Sequence, residues 1–230
     1  MLIAEVGHNH NGDMSIAKEL IRCAKNSGAD VVKFQLYDID KIVPLDHEWY
    51  WDLQRGQVSW SQWLEIVDEC NRLGIEFMAS AFDVERVGWC EEVGMKRYKV
   101  ASRSIYNEEL LEAIVQTGKD VLISLGKVNG RGIPKLPPTT KVGYLYCIAK
   151  YPVALAELKL GKVDWNKYAG FSDHTMGIEA AMVAISRGAD IIEKHFTLSR
   201  AMDGCDHAGS MEPDDLAKLY HFANKVREMA

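Results

Sequence analysis

The sequence contains no apolar stretch near the length of a membrane span, no Cys-x-x-Cys pair, no low-complexity run and no composition shift marking a second domain. Each absence removes a class of protein. Without a run of about 18–20 apolar residues, no membrane-spanning helix is expected. The five cysteines, Cys23, Cys70, Cys90, Cys147 and Cys205, are odd in number and lack metal-ribbon or redox spacing. They read as reduced thiols of a cytoplasmic protein. Glu5 and the polar run from His8 to Asp13 interrupt the start, so no secretory leader is expected. An excess of positive charge is also missing. The net charge of −6 argues against a nucleic-acid partner held by bulk electrostatics, while leaving room for a small basic pocket around an anionic substrate.

What is present is ordinary globular composition, 47% hydrophobic and 26% charged over 230 residues. That length suits one domain, residues 1–230, with a sizeable core. Short apolar runs alternate with helical patterns. The candidate strands are Leu2–Val6, Val31–Leu36, Glu76–Ala79, Arg97–Val100, Val121–Ser124, Val142–Cys147, Tyr168–Phe171 and Ile191–His195. Most are rich in Val, Ile, Leu, Phe or Tyr and follow a turn signal, as buried parallel strands do. Eight strands joined by crossovers predict an α/β fold, a TIM (β/α)8 barrel; a doubly wound open sheet is the alternative. Apolar faces at Ile16, Leu20 and Cys23–Ala24, and at Trp60, Trp63–Leu64 and Val67, predict helices, the second capped by Ser59 or Ser61. Asn107 is the expected cap of another, and Pro213 opens the last.

Two connections stand apart. Residues 37–58 form a long link carrying Trp49, Tyr50 and Trp51. A link of that length is often functional; the aromatics could stack on a sugar, close as a lid, pack, or meet a second subunit. Residues 125–141 hold three glycines and three prolines with no helical period. The fifth helix is therefore expected to be reduced or missing, leaving a thin flank that a partner subunit could cover.

In a barrel the active site stands at the carboxyl ends of the strands. There the sequence supplies Glu5, Lys33, Gln35, Lys99, Ser102, Ser104, Ser124, Lys150, Tyr151, Ser172, His174, His195 and Asp206. Lysines and serines suit a small phosphorylated anion. His174 and His195, from neighbouring strands, could meet at one divalent ion with positions left open for substrate. Each residue alone also fits a plainer role: a solvated lysine, a turn asparagine at Asn9 or Asn11, a turn glycine at Gly126.

The segments Ala4–Gly12 (AEVGHNHNG), Val32–Gln35 (VKFQ), Tyr98–Ser102 (YKVAS), Gly170–Thr175 (GFSDHT) and Ile192–Leu198 (IEKHFTL), with Asp206-His207 and Glu212-Pro213, resemble the sialic acid (N-acetylneuraminate) synthase family in order and along nearly the whole chain. The resemblance implies a metal-dependent, carbon–carbon bond-forming transferase. Phosphoenolpyruvate would condense with a sugar aldehyde, an N-acetyl amino sugar or related aldose, giving a 2-keto-3-deoxy sugar acid and phosphate. His174 and His195 would hold Mn2+, with Mg2+ or Co2+ as alternatives. Lys33, Lys99, Ser102, Ser124 and Ser172 would bind phosphoenolpyruvate, and Gln35 and Tyr151 the sugar. Glu5 and Asp206 would be the catalytic carboxylates, and the protein would pair as a homodimer.

The sequence also departs from the family pattern. Ser104 stands where a sugar-contacting Glu is common, and Ala149 where a polar residue helps hold phosphoenolpyruvate. Typical members continue into a C-terminal antifreeze-like domain. A different or smaller acceptor, or a separate chain supplying that domain, is expected. Two other functions compete: a Schiff-base aldolase using Lys150, and a non-catalytic barrel that binds sugar or phosphate.

Overall fold

The computed structural model describes residues 1–229. Eight parallel strands close a barrel in sequential order: β1 (Leu2–Gly7), β2 (Val31–Leu36), β3 (Glu76–Ala81), β4 (Arg97–Val100), β5 (Asp120–Ser124), β6 (Val142–Cys147), β7 (Gly170–Asp173) and β8 (Ile191–His195). The last strand pairs with the first, Glu5 opposite His195. The expected barrel is thus the observed one. The seventh strand lies two residues later than expected, because the polar pair Ser172-Asp173 continues the ladder against Glu193 and Lys194.

Nine α-helices lie among the described residues: α1 (Met14–Asn26), α2 (Ile39–Ile42), α3 (Tyr50–Arg55), α4 (Trp60–Leu73), α5 (Val84–Glu92), α6 (Glu108–Gln116), α7 (Leu155–Leu158), α8 (Glu179–Ser186) and α9 (Pro213–Met229). Local chemistry sets their ends. Asp13 caps α1 by accepting from the amides of Ser15 and Ile16. At α4 the cap is Ser59, in a reciprocal capping box with Gln62, and Gly74 closes the helix at φ 64°. Asn107 caps α6 through the Leu110 amide. The buried face of α4 is Trp63, Ile66, Val67 and Cys70. Leu64, expected on that face, is 39% exposed instead, because it lies one position off the i, i+3, i+4 stripe.

The barrel's cover is uneven. No helix joins β5 to β6; Tyr106 braces that link, accepting from the Asn129 amide and donating to the Gly132 carbonyl. The sixth crossover is also reduced, which the sequence did not signal. It holds the four-residue α7 and one 3-10 turn at Leu160–Lys162, and Lys159 between them takes φ 48°, which ends the helix. As a result, Val142, Gly143, Tyr144 and Tyr146 of β6 are only half-buried, unlike β1, which is buried throughout. No helix of the described residues is long and apolar enough to cross a membrane.

Candidate active site

Strand alternation builds the site. Val32, Phe34 and Leu36 are buried core residues, so Lys33 and Gln35 between them face the barrel interior. They line a cavity of about 610 Å³ at the carboxyl end of the strands, together with Glu5, Lys99, Ser102, Ser124, Tyr151, Ser172, His174, His195 and Asp206. That volume suits a small-molecule site. The eleven residues to which the family resemblance gave roles therefore meet in one place, while Ser104 and Lys150 stand outside it.

The deep end is a closed set of charges. Lys33 Nζ lies 2.6 Å from Glu5 Oε2 and 3.4 Å from Glu193 Oε2. Lys99 Nζ is 3.5 Å from Glu193 Oε1. Ser172 donates to that same oxygen at 2.8 Å, and Gln35 donates to Glu5 Oε1 at 2.9 Å. Two ammonium groups and two carboxylates, all buried, balance one another, as desolvated charges must. Burial works to raise the Glu193 carboxyl, but Lys33 and Lys99 outweigh it and hold it well below its ordinary value. Burial likewise pulls Lys33 down, and Glu193 and Glu5 overcome that to raise it. Lys99 ends lower than an ordinary lysine: burial dominates, and Glu193, opposed by the charge on Lys33, does not offset it. Ser102 donates to the Ser124 carbonyl and accepts from the Gly126 amide. The Ser124 hydroxyl is buried without a partner. Gly126 does more than turn the chain. A Cβ there would lie 2.9 Å from the Ala149 amide and from Cys147 Sγ, so only glycine lets these loops approach so closely.

The rim is built from imidazoles and Asp206. The rings of His174 and His195 have centroids 6.2 Å apart. His174 Nδ1 donates to the Ile148 carbonyl at 2.8 Å. Its Nε2 therefore carries the lone pair, and the Tyr151 hydroxyl reaches it at 2.9 Å. Burial, then the neighbouring His195, lower the His174 pKa to about 4, so the ring is neutral near pH 7. His195 Nδ1 is buried without a hydrogen-bond partner and lies 3.3 Å from Asp206 Oδ2. A neutral imidazole with its lone pair on Nε2, a second buried imidazole nitrogen and a carboxylate are a donor set that fits a divalent transition ion. Burial works to raise the Asp206 carboxyl; His195, His8, His174 and His207 outweigh it and keep it below its ordinary value.

Several residues have roles the sequence did not reveal. Glu193 is the hub of the deep end; its spacing of two from His195 on one strand put it on the same face and was the available signal. His8 and Cys205 line the rim, and Trp49 and Arg103 line the wall. The aromatic trio divides: Trp49 faces the cavity, Tyr50 packs with Tyr37 and Ile39, and Trp51 is 68% exposed. Asn9 and Asn11 are more than turn residues. Asn9 donates to the Phe196 carbonyl and to Ser210 Oγ, and Asn11 to the Asp203 carbonyl, tying the loop after β1 to the loop after β8. Lys150 overturns the Schiff-base alternative: it is solvent-exposed and paired with Glu157 at 2.7 Å, and it does not line the cavity. Ser104 is buried, also outside the cavity lining, while Ala149 lines it.

The NeuB family pattern matches residues 20–230. The chain belongs to the NeuB family. An N,N'-diacetyllegionaminic acid synthase of Legionella pneumophila is 32% identical to this NeuB-family chain, over 95% of the chain and 69% of the relative. An uncharacterised protein of Methanocaldococcus jannaschii is 34% identical over 99% of the chain and 71% of its own length. Among solved structures, an N-acetylneuraminic acid (sialic acid) synthetase of Leptospira borgpetersenii, in complex with citrate, superposes with a TM-score of 0.90 at 29% identity, covering 99% of the chain and 84% of that structure. The family resemblance and the enzyme class expected from the sequence are both borne out: the named relatives are synthases.

Proposed function

We propose that this NeuB-family chain condenses phosphoenolpyruvate with a sugar aldehyde, an N-acetyl amino sugar or related aldose, to give a 2-keto-3-deoxy sugar acid and phosphate. The observation that carries it is the buried Lys33–Glu193–Lys99 bridge at the floor of a cavity whose rim holds the neutral His174 beside His195. One end suits a small polyanion, and the other a divalent ion that would polarise an aldehyde.

His174 and His195 would hold a divalent ion, Mn2+ with Mg2+ or Co2+ as alternatives, which supplies Lewis-acid polarisation of the acceptor aldehyde. Lys33 and Lys99 bind the phosphate and carboxylate of phosphoenolpyruvate, with hydroxyls of Ser102, Ser124 and Ser172 as further donors. The enol carbon forms the new bond to the aldehyde carbon. Water adds to the phosphate-bearing carbon, and phosphate leaves with the electron pair of the broken carbon–oxygen bond. Glu5 and Asp206 are the carboxylates beside the reacting groups that take up the water proton. Gln35 and Tyr151 orient the sugar, and Trp49 offers it an aromatic wall. Residues 1–230 act as one catalytic barrel in the cytoplasm, consistent with five free cysteines. The thin flank beside β6, with Val128 and Ile133 exposed, supports a homodimer.

The test is phosphate release from phosphoenolpyruvate with Mn2+ across a panel of aldoses and N-acetyl amino sugars. Release with one acceptor, abolished by chelator and by His174→Ala, supports the reading. Phosphoenolpyruvate binding without release across the panel would point to another acceptor or a missing partner chain, and no release without binding would favour the non-catalytic barrel.

A further inference from the structure

Beside Asp206, two ligating side chains that the proposed reaction does not use complete a cluster at the rim. His8 comes from the loop after β1, and Cys205 and Asp206 from the loop after β8. His8 Nε2 lies 3.1 Å from Cys205 Sγ and 3.5 Å from Asp206 Oδ2. The three ligand atoms all lie within 4.8 Å of one another. In a tetrahedral zinc site with Zn–N near 2.0 Å and Zn–S near 2.3 Å, ligand atoms sit roughly 3.3–3.8 Å apart, and the two separations from His8 are close to that spacing.

We propose that His8, Cys205 and Asp206 form a second cation site, selective for a borderline or soft divalent ion such as Zn2+. The proposal goes beyond the synthase reading and does not depend on it.

Three features carry it. The first is chemistry: a thiolate, a carboxylate and a neutral imidazole together offset a divalent charge, and sulfur favours Zn2+ or Co2+ over Mg2+ and Mn2+. The second is burial without other employment. His8 is 6% exposed, its Nε2 touches Cys205 and Asp206, and its Nδ1 is buried with no partner. The third is fixed geometry. A Cβ on Gly56 would lie 2.5 Å from His8 Cβ, and one on Gly204 would lie 2.8 Å from His207. Glycine at these two positions lets the link before α4 press on His8 and lets the loop carrying Cys205 fold tightly. All three ligands also line the cavity, which leaves a further coordination position for water or substrate, as in three-ligand catalytic zinc sites. With the Asp206 carboxylate serving as a ligand, uptake of the water proton falls to Glu5.

The test is spectroscopic and uses the full chain. Co2+ added to the metal-stripped protein should produce the near-ultraviolet thiolate-to-cobalt charge-transfer band. Cys205→Ser and His8→Gln should each abolish it, while Cys147→Ser and His174→Ala leave it in place. Equilibrium dialysis with Zn2+ should show one ion fewer per chain in Cys205→Ser than in the wild type. His8→Gln serves as the second variant should Cys205→Ser fold poorly. Absence of the band in the wild type, its persistence in Cys205→Ser, or its loss in His174→Ala would each overturn the second site. Failure of the synthase reading would look different: the wild type would hold one zinc ion, and His174→Ala would leave that count unchanged.

Discussion

The floor and the rim of the cavity solve the burial of polar groups in opposite ways. At the floor, Lys33, Lys99, Glu5 and Glu193 meet charge for charge, with Ser172 and Gln35 satisfying further oxygens. At the rim, His195 Nδ1 and His8 Nδ1 are buried without hydrogen-bond partners, and Asp206 is the single carboxylate set between His8 and His195. A balanced network is rigid and costly to break from one side. An under-partnered one gains most from a ligand. The difference teaches that an anion binds at the floor by exchanging one set of partners for another, whereas a cation at the rim completes a set.

The sharpest way to break this comparison is to unbalance the floor. Lys33→Met leaves Glu5 and Glu193 facing one lysine, and the expected loss is about 3–5 kcal/mol of stability, measured by urea unfolding. Adding Glu193→Gln should recover part of that loss, whereas strictly additive losses would mean the floor is not one network. Next in size is the response to ions. Zn2+ or Mn2+ at about a hundredfold over its dissociation constant should stabilise the fold by roughly 2.7 kcal/mol, and chelator should remove the gain. Phosphoenolpyruvate affinity should change far less; equal changes in both would dissolve the distinction between floor and rim. The smallest effect is on pH. Lys99 carries its charge only below its lowered pKa. Affinity for phosphoenolpyruvate should thus fall several-fold as pH rises through a point below about 10.4, the ordinary lysine value. Calorimetric titration would follow this, and Lys99→Arg should flatten the limb.

Much of this architecture could be read from the sequence, because parallel barrel strands are buried on both sides and stand out as apolar runs. The missing fifth helix was equally legible from its glycines and prolines. The reduced sixth crossover was not: Leu155, Leu158 and Leu160 look like a helical stripe, and nothing in residue type announces the left-handed turn at Lys159. At the site, residue types and strand ends offered a longer list, and the family resemblance narrowed it to the eleven side chains that line the cavity. They could not show that Glu193 bridges two lysines, since that depends on register across β2, β4 and β8. Nor could they join His8 to Cys205, which are 197 positions apart.

That separation has a consequence for how the protein comes into being on the ribosome. β1 emerges well before β8, its partner on one side. At about 5–20 residues per second, roughly 10–40 s pass between them. For that interval one edge of β1 is unpaired, and both ligand sets at the rim are incomplete. The nascent chain can gather much of its core but cannot yet capture a metal at either set, so metal loading waits until the ring has closed.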